Sequence, residues 1–281
     1  MRYVSYYDDR GDVRPGLLDG QRIREIDAPS LRDYIALAPS ERAARHTARA
    51  RPLDGTRLAP PVEPPRNVFC VGRNYLEHAK EGAAALGIDL KLPSVPTFFT
   101  KATTAIAGPG ADLHLQARVS PHYDFEAELA VVIGARCKDV DEARALEVVF
   151  GYTCLNDMTA RDLQRAHGQW FKGKSLDETC PIGPWIVGAD EIADPQTLGI
   201  AMRVNGVEKQ RSTTAQMIFS VARIIAELSR GATLLPGDVI ATGTPEGVGF
   251  ARTPPEWLAD GDVLDVTIDR IGTLHNTVRI V

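Results

Sequence analysis

The segment Asp124-Phe125-Glu126-Ala127-Glu128-Leu129-Ala130-Val131-Val132-Ile133 constrains this chain more than any other. Read as a strand over 125–133, it places Phe125, Ala127, Leu129, Val131 and Ile133 on one face, because successive side chains point to opposite sides. That face is wholly apolar and has to be buried. The other face opens with Asp124, Glu126 and Glu128. Residues two apart on a strand lie about 6.6 Å apart at the backbone, so carboxylates held there repel unless water screens them or a cation lies between them. Two readings stand for this acidic face: a solvated side of a sheet, or part of a site for a hard divalent ion.

Around this segment the pattern is mostly strand. Short strands are predicted over 3–7, 14–18 and 22–26, with Gly11, Gly16 and Gly20 as turn signals. Helical composition follows over 31–50, split into two short helices by Pro39. The proline-rich stretch 58–66 cannot continue a helix and marks a division into a small N-terminal domain, 1–62, and a larger domain, 63–281. Beyond it, strands are expected over 68–71 and 96–101, and a helix over 75–86. The clearest helix starts at Met217, with apolar residues at 217, 218, 221, 224, 225 and 228, Thr213 or Thr214 as cap and Gly231 past its end. Two Gly-Asp turns, at 237–238 and 261–262, introduce strands over 239–242 and 263–268.

Composition narrows the class of partner. With 44% hydrophobic and 25% charged residues over 281 positions, the chain is globular rather than disordered. A net charge of −5 removes the basic surplus on which nucleic-acid binding depends. The four cysteines, Cys70, Cys137, Cys154 and Cys180, form no C-x-x-C pair and suit a reduced compartment. Residues 1–16 contain Asp8, Asp9, Arg10 and Asp12 where a signal peptide needs an apolar run, and nowhere do about 18 apolar residues follow one another. A cytoplasmic protein with no membrane or nucleic-acid partner is expected.

Three further places carry chemistry. Asp157 follows an apolar run, 148–155, where a strand hands over to a helix near Thr159; it is either a helix cap or a third carboxylate. Carboxylates alone would make an oxygen-only site, which suits Mg²⁺, with Mn²⁺ or Ca²⁺ as substitutes. His78 and Glu81, three apart in a helix, share a face, so the carboxylate can orient the imidazole for proton transfer; an ordinary charged surface beside Glu77 and Lys80 is the plainer reading. The stretch 242–249 is rich in glycine and threonine and can bring backbone N–H groups to an anion, or can be a simple β-turn; it lacks the G-K-[ST] ending of a phosphate loop.

Five separated motifs then agree in order: Gly72-Arg73-Asn74-Tyr75-Leu76-Glu77-His78-Ala79-Lys80-Glu81, Phe125-Glu126-Ala127-Glu128-Leu129, Asn156-Asp157-Met158-Thr159-Ala160-Arg161-Asp162, Lys172-Gly173-Lys174-Ser175 and Thr242-Gly243-Thr244-Pro245-Glu246-Gly247-Val248-Gly249. From about Arg66 to the C-terminus the chain resembles the fumarylacetoacetate hydrolase (FAH) family, and its first sixty or so residues resemble the variable N-terminal portion of longer members. The resemblance implies an α+β, mainly β fold: an FAH-type rolled mixed β-sheet core with a small N-terminal α/β portion, assembled as a homodimer. It implies that Glu126, Glu128 and Asp157 hold the metal, with Asp124 outside the ligand set. It gives His78, oriented by Glu81 on a mobile lid segment, the role of base. Lys174 then stabilises negative charge on the substrate, with Lys172 peripheral. Gln164, seven residues after Asp157 at the start of the following helix, either assists the same oxyanion or positions water, or is a solvated helix residue. Arg73 and Thr244 grip the carboxylate of a small 2-oxo acid substrate.

The expected function is that of a metal-dependent hydrolase cleaving a C–C bond in an acylpyruvate-like or 2,4-dioxo acid. The same metal-enolate platform serves an isomerase of the 2-hydroxyhepta-2,4-diene-1,7-dioate type, an oxaloacetate decarboxylase or a sugar-acid dehydratase. A catalytically silent dimeric binding protein is the non-enzyme alternative.

Overall fold

A computed structural model describes residues 1–281. Its main sheet runs in the order His46–Pro52, Arg22–Ile26, Val13–Asp19, Arg2–Tyr7, Cys180–Gly188, Val149–Asn156, Ala127–Ile133, Val239–Ala241, Val68–Gly72 and Thr97–Lys101, with two short strands joined to its side. Most neighbours are antiparallel, but Val239–Ala241 pairs parallel with Val68–Gly72, so the sheet is mixed. A second sheet of five strands is built from Val207–Thr213, Gly199–Val204, Val263–Ile268, Gly272–Ile280 and Asp112–Leu115.

The alternation read from the acidic segment is what places it. Phe125, Ala127, Leu129, Val131 and Ile133 belong to the larger apolar cluster, together with Ile200, Met202, Leu264, Val266 and Leu274 of the second sheet. Ala130 and Val132, pointing the other way, belong to a separate cluster with Val68, Cys70, Ile182 and Ile186. Every residue of Ala127–Ile133 is buried. The strand is therefore covered on both faces, and its acids do not face bulk solvent.

The strand starts at Ala127 rather than at Phe125. Asp124 belongs to a separate two-residue strand, Tyr123–Asp124, paired with Thr159–Ala160. The physical reason for the break is the Asp124 carboxylate, which accepts the N–H groups of Phe125, Gly249 and Phe250 at 2.8, 2.7 and 3.1 Å and so draws this stretch out of the ladder.

Two other expectations are corrected. Helical structure within 31–50 is confined to Leu31–Ala36, Pro39–Arg42 and a short 3₁₀ turn, and His46–Pro52 is a strand paired with Arg22–Ile26. Its alternating T-A-R-A-R composition has no strong strand preference; pairing with a neighbour decides the outcome. The helix expected from Met217 begins at Val221, capped by Ser220, whose hydroxyl accepts from Arg223 N–H at 3.1 Å. Thr213 instead caps the short turn Thr214–Gln216, and Met217 lies in extended backbone that bridges to Tyr75.

The N-terminal segment continues the main sheet through Arg2 and Tyr3, which pair with Val187 and Ile186. Tyr3, Ile26, Leu31, Tyr34 and Ile35 share one core with Val68, Cys70 and Val132. The division near residue 62 is a division of sequence, and the two segments share a core. All four cysteines are free. No helix is long and apolar enough to cross a membrane.

Candidate active site

The register of two strands brings the acids together. Ala127 pairs with Asn156 and Glu128 with Leu155, so Glu126 and Asp157 face each other where the ladder ends. Asp157 N–H donates to Glu126 O at 2.9 Å, and Glu126 N–H donates to the Asn156 side chain at 2.9 Å. Glu126, Glu128 and Asp157 are all buried, and a carboxylate oxygen from each lies within 4.8 Å of the others. The helix-cap reading of Asp157 fails, because the next helix starts at Arg161 with no side-chain cap.

Three buried cations surround the acids. Lys174 Nζ donates to Glu126 Oε2 at 2.8 Å and Asp157 Oδ2 at 2.6 Å. Arg161 donates from Nε to Asp124 at 2.8 Å and places Nη2 2.8 Å from Glu126 Oε1. Lys101, fully buried, puts Nζ 2.8 Å from Asp157 Oδ1 and donates to Met158 O at 2.9 Å. Burial alone would raise the Glu126 carboxyl, but Lys174 and Arg161 outweigh it and hold the group down at about 2. Glu128 has no cation against it. Its only hydrogen bond comes from Gly243 N–H at 2.7 Å, and burial, reinforced by the charges of Asp157 and Glu126, pushes its carboxyl well above the usual range.

These details bear on whether a divalent ion fits. Three carboxylates converge, one of them, Glu128, has no ion-pair partner and is driven toward its protonated form by burial and its acidic neighbours, and the Lys174 ammonium sits between the other two as a cationic stand-in. The buried side-chain atoms left without a hydrogen-bond partner are Asp157 Oδ1, Arg161 Nη2 and Tyr75 OH; the first two lie in the cluster, and Glu128 is the charge that acts most on the third. Lys101 is close to Asp157 Oδ1 but misaligned for a hydrogen bond, so that oxygen keeps a free lone pair. An all-oxygen, acid-rich set of this kind fits a hard divalent cation.

Glu126 and Glu128 line a cavity of about 440 Å³, while Asp157, fully buried, does not reach its wall. His78 Nδ1 and Glu81 Oε1 are 2.8 Å apart, and Glu81 Oε2 accepts Gly247 N–H at 2.8 Å, which ties the Leu76–Leu86 helix to the glycine-rich loop. His78, Arg73, Gln164, Lys174 and Thr244 all line the cavity with Glu126 and Glu128, whereas Lys172 is exposed and outside it. The Thr244 hydroxyl is already committed: it donates to Ala127 O at 2.9 Å and accepts from Gln210 Nε2 at 2.8 Å. It holds the loop against the central strand. Gly243 sits at φ +102°, and a Cβ there would fall 2.7 Å from Asn74 Cβ, so only glycine brings this N–H to Glu128.

Several residues of this site escaped sequence reasoning. Lys101 and Arg161 neutralise the acids, Gln210 braces Ala127 N–H and the Thr244 loop, and Asn74 donates to Phe219 O and Thr242 O. Asn74 and Arg161 stand inside motifs singled out above; nothing local marks Lys101 or Gln210.

The sequence model described as fumarylacetoacetate (FAA) hydrolase C-terminal matches residues 67–279. The chain belongs to the fumarylacetoacetate hydrolase family. It is thus an FAH-superfamily enzyme, and its mainly β, mixed-sheet architecture is the FAH fold. It is 40% identical to the fumarylacetoacetate hydrolase of psychrophilic Exiguobacterium antarcticum, with a TM-score of 0.87 over the whole of both chains. It is 37% identical to a 2-hydroxyhepta-2,4-diene-1,7-dioate isomerase from Mycobacterium marinum, with a TM-score of 0.82 over all of this chain and 98% of that one. The oxaloacetate tautomerase YisK of Bacillus subtilis strain 168 is 46% identical over 220 residues, 78% of this chain and 72% of that protein. The FAH match begins just after the proline-rich stretch, so the segment it leaves out is the one that extends the main sheet.

Proposed function

We propose that this FAH-family enzyme moves a proton at the carbon beside the 2-oxo group of a small 2-oxo acid, through an enolate formed over the acid cluster. The reading rests on one observation: His78, paired with Glu81, lines the same cavity as Glu126 and Glu128, the two acids that converge with buried Asp157. Glu126, Glu128 and Asp157 would hold Mg²⁺, or Mn²⁺ or Ca²⁺ in its place. Bound there, the ion supplies Lewis-acid charge for the carboxylate and oxo oxygens of the substrate.

The chain's own groups supply the rest. Glu81 accepts from His78 Nδ1, which leaves Nε2 as the free, proton-accepting nitrogen. His78 takes a proton from the substrate carbon; the C–H electron pair moves into the C2–C3 bond and the oxo oxygen takes the negative charge. Lys174 provides positive charge beside that oxygen. Return of the proton to oxygen completes keto–enol tautomerisation, the activity named for the Bacillus relative. Arg73 and the backbone of the Thr244 loop hold the carboxylate.

Hydrolysis of an acylpyruvate remains the second reading, favoured by the same His78–Glu81 pair. There His78 takes its proton from water, which adds to the distal carbonyl; the C–C bond breaks and its electrons form the pyruvate enolate.

Purified protein, stripped of divalent ions and then reloaded with Mg²⁺, tests both. Enol-oxaloacetate decay and acylpyruvate cleavage are followed side by side, with released carboxylic acid measured chemically. Tautomerisation keeps the carbon skeleton and hydrolysis divides it. His78→Gln should lower kcat about 100-fold or more while Mg²⁺ affinity, read by calorimetry, stays within a few fold. Turnover by His78→Gln at the wild-type rate would remove His78 as the base.

A further inference from the structure

The helix Arg161–Ala166 carries Arg161, Gln164 and Arg165 at spacings of three and four, so the three share a face, and all line the cavity. They differ in what neutralises them. Arg161 is buried and engages Asp124 and Glu126. Gln164 Oε1 accepts from Arg161 Nη1 at 3.2 Å. Arg165 stands four residues further on, about 6 Å along the helix axis, where it is exposed and has no carboxylate partner. Its guanidinium carbon lies 5.8 Å from the centre of the Phe250 ring, and that of Arg161 lies 4.4 Å from the same ring.

The mouth of the cavity repeats this imbalance. Arg73 and Lys91 also line it without an ion pair, and Asp89 is the acid there that lies outside the buried cluster. Arg73 is held at φ +57°, a left-handed conformation that a non-glycine residue adopts at a cost, and its guanidinium lies 5.6 Å from the Trp170 ring centre. Exposed Leu86, Ile88 and Leu90 complete the rim. A guanidinium resting on an aromatic face is oriented before a ligand arrives, and its free edge matches a carboxylate through two parallel hydrogen bonds. With Arg73 and the Thr244 loop given to the head carboxylate, Arg165 is the guanidinium on the cavity wall left without a partner.

We propose that Arg165 selects the substrate by its far end: it binds a second carboxylate, so that the preferred ligands are short 2-oxo dicarboxylates rather than 2-oxo monoacids. This rests on the reading that the 2-oxo acid head sits at the acid cluster.

Calorimetry on the Mg²⁺-loaded protein tests the proposal without relying on turnover. The probes are oxaloacetate and 2-oxoglutarate, against 2-oxobutanoate and 2-oxopentanoate, whose tails carry no charge. Wild type should bind each dicarboxylate about tenfold or more tightly than the monoacid of similar length, the worth of one charge-assisted contact. Arg165→Gln should collapse that ratio to about one, and Arg165→Lys should restore part of it. Equal binding of both classes by wild type, or equal loss of both in Arg165→Gln, overturns the assignment. Arg165-dependent dicarboxylate binding with no proton exchange at the carbon beside the oxo group would keep this inference and defeat the proposed reaction instead.

Discussion

Glu128 is the residue on which the site's electrostatics turn. Its neighbours Glu126 and Asp157 have cations within hydrogen-bond reach, and Glu128 has one backbone N–H. Replacing it by Gln removes the repulsion but also a ligand. In chelator, Glu128→Gln should melt at or above the wild-type temperature; with excess Mg²⁺ the wild type should gain stability by mass action, about 2.7 kcal/mol at a hundred times its Kd, and the variant should gain little. A wild-type gain retained in Glu128→Gln would show that the ion does not need this carboxylate. Glu126 gives the opposite pH signature. Its folded value, about 2, lies below the ordinary 4.5, so its contribution is present above pH 4.5 and is lost as pH falls through about 2. Glu128, raised by burial and its acidic neighbours, contributes below the ordinary carboxylate range and loses that contribution as pH rises through its folded value. Urea midpoints measured in chelator between pH 2 and 4.5 should fall more steeply for wild type than for Glu126→Gln; parallel curves would refute the pairing with Lys174 and Arg161. Of these residues, the E-x-E spacing made the acids legible. Their cations were not, since Lys101 ends an otherwise ordinary strand and reaches Asp157 only through the fold.

Elements were legible where period and caps agreed, and illegible where pairing decided. The alternation over 125–133 named the apolar face that enters the larger core, because a one-residue slip would turn it away, but it did not show that Ala130 and Val132 on the other face fill a second core. Where the strand begins depended on Asp124 capturing N–H groups from a loop more than a hundred residues away, which no local pattern carries. The helix at 221–229 was recognised by its apolar period, yet its cap was misplaced because two threonines competed with Ser220 and the residues at 217 and 218 fit the same period by chance. Ser220→Ala should therefore cost about 1 kcal/mol, read as a small fall in the urea midpoint, whereas Thr213→Ala should leave this helix unaffected. At the loop, Gly247 holds Glu81 through its N–H, at φ +101° with Lys209 O only 2.2 Å from where a Cβ would stand. Gly247→Ala should displace the loop and lower kcat with His78 still present; unchanged kinetics would mean that the Glu81 tether does not position the base.

For the whole molecule, the family match and the structure divide the chain differently. The match starts at residue 67, but strands from the first 52 residues extend the main sheet, and their side chains fill a core shared with Val68, Cys70 and Val132. Each buried Ile, Leu or Tyr contributes about 1.5–3 kcal/mol, so removal of residues 1–62 should leave an unfolded or aggregating protein, checked by circular dichroism and gel filtration. A folded, monodisperse 63–281 fragment would show that the shared core is dispensable. Sequence composition could not reveal this sharing, because the proline-rich stretch 58–66 reads locally as a linker. The proposed chemistry requires Glu126, Glu128 and Asp157 to bind a single hard cation beside the cavity. Mn²⁺-soaked crystals, recorded above and below the manganese absorption edge, test this directly. The expected result is one anomalous peak ringed by these three carboxylates, with the Lys174 ammonium displaced from between Glu126 and Asp157; a site without that peak, or a peak bound by other residues, would contradict a metal-assisted enolate at this cluster.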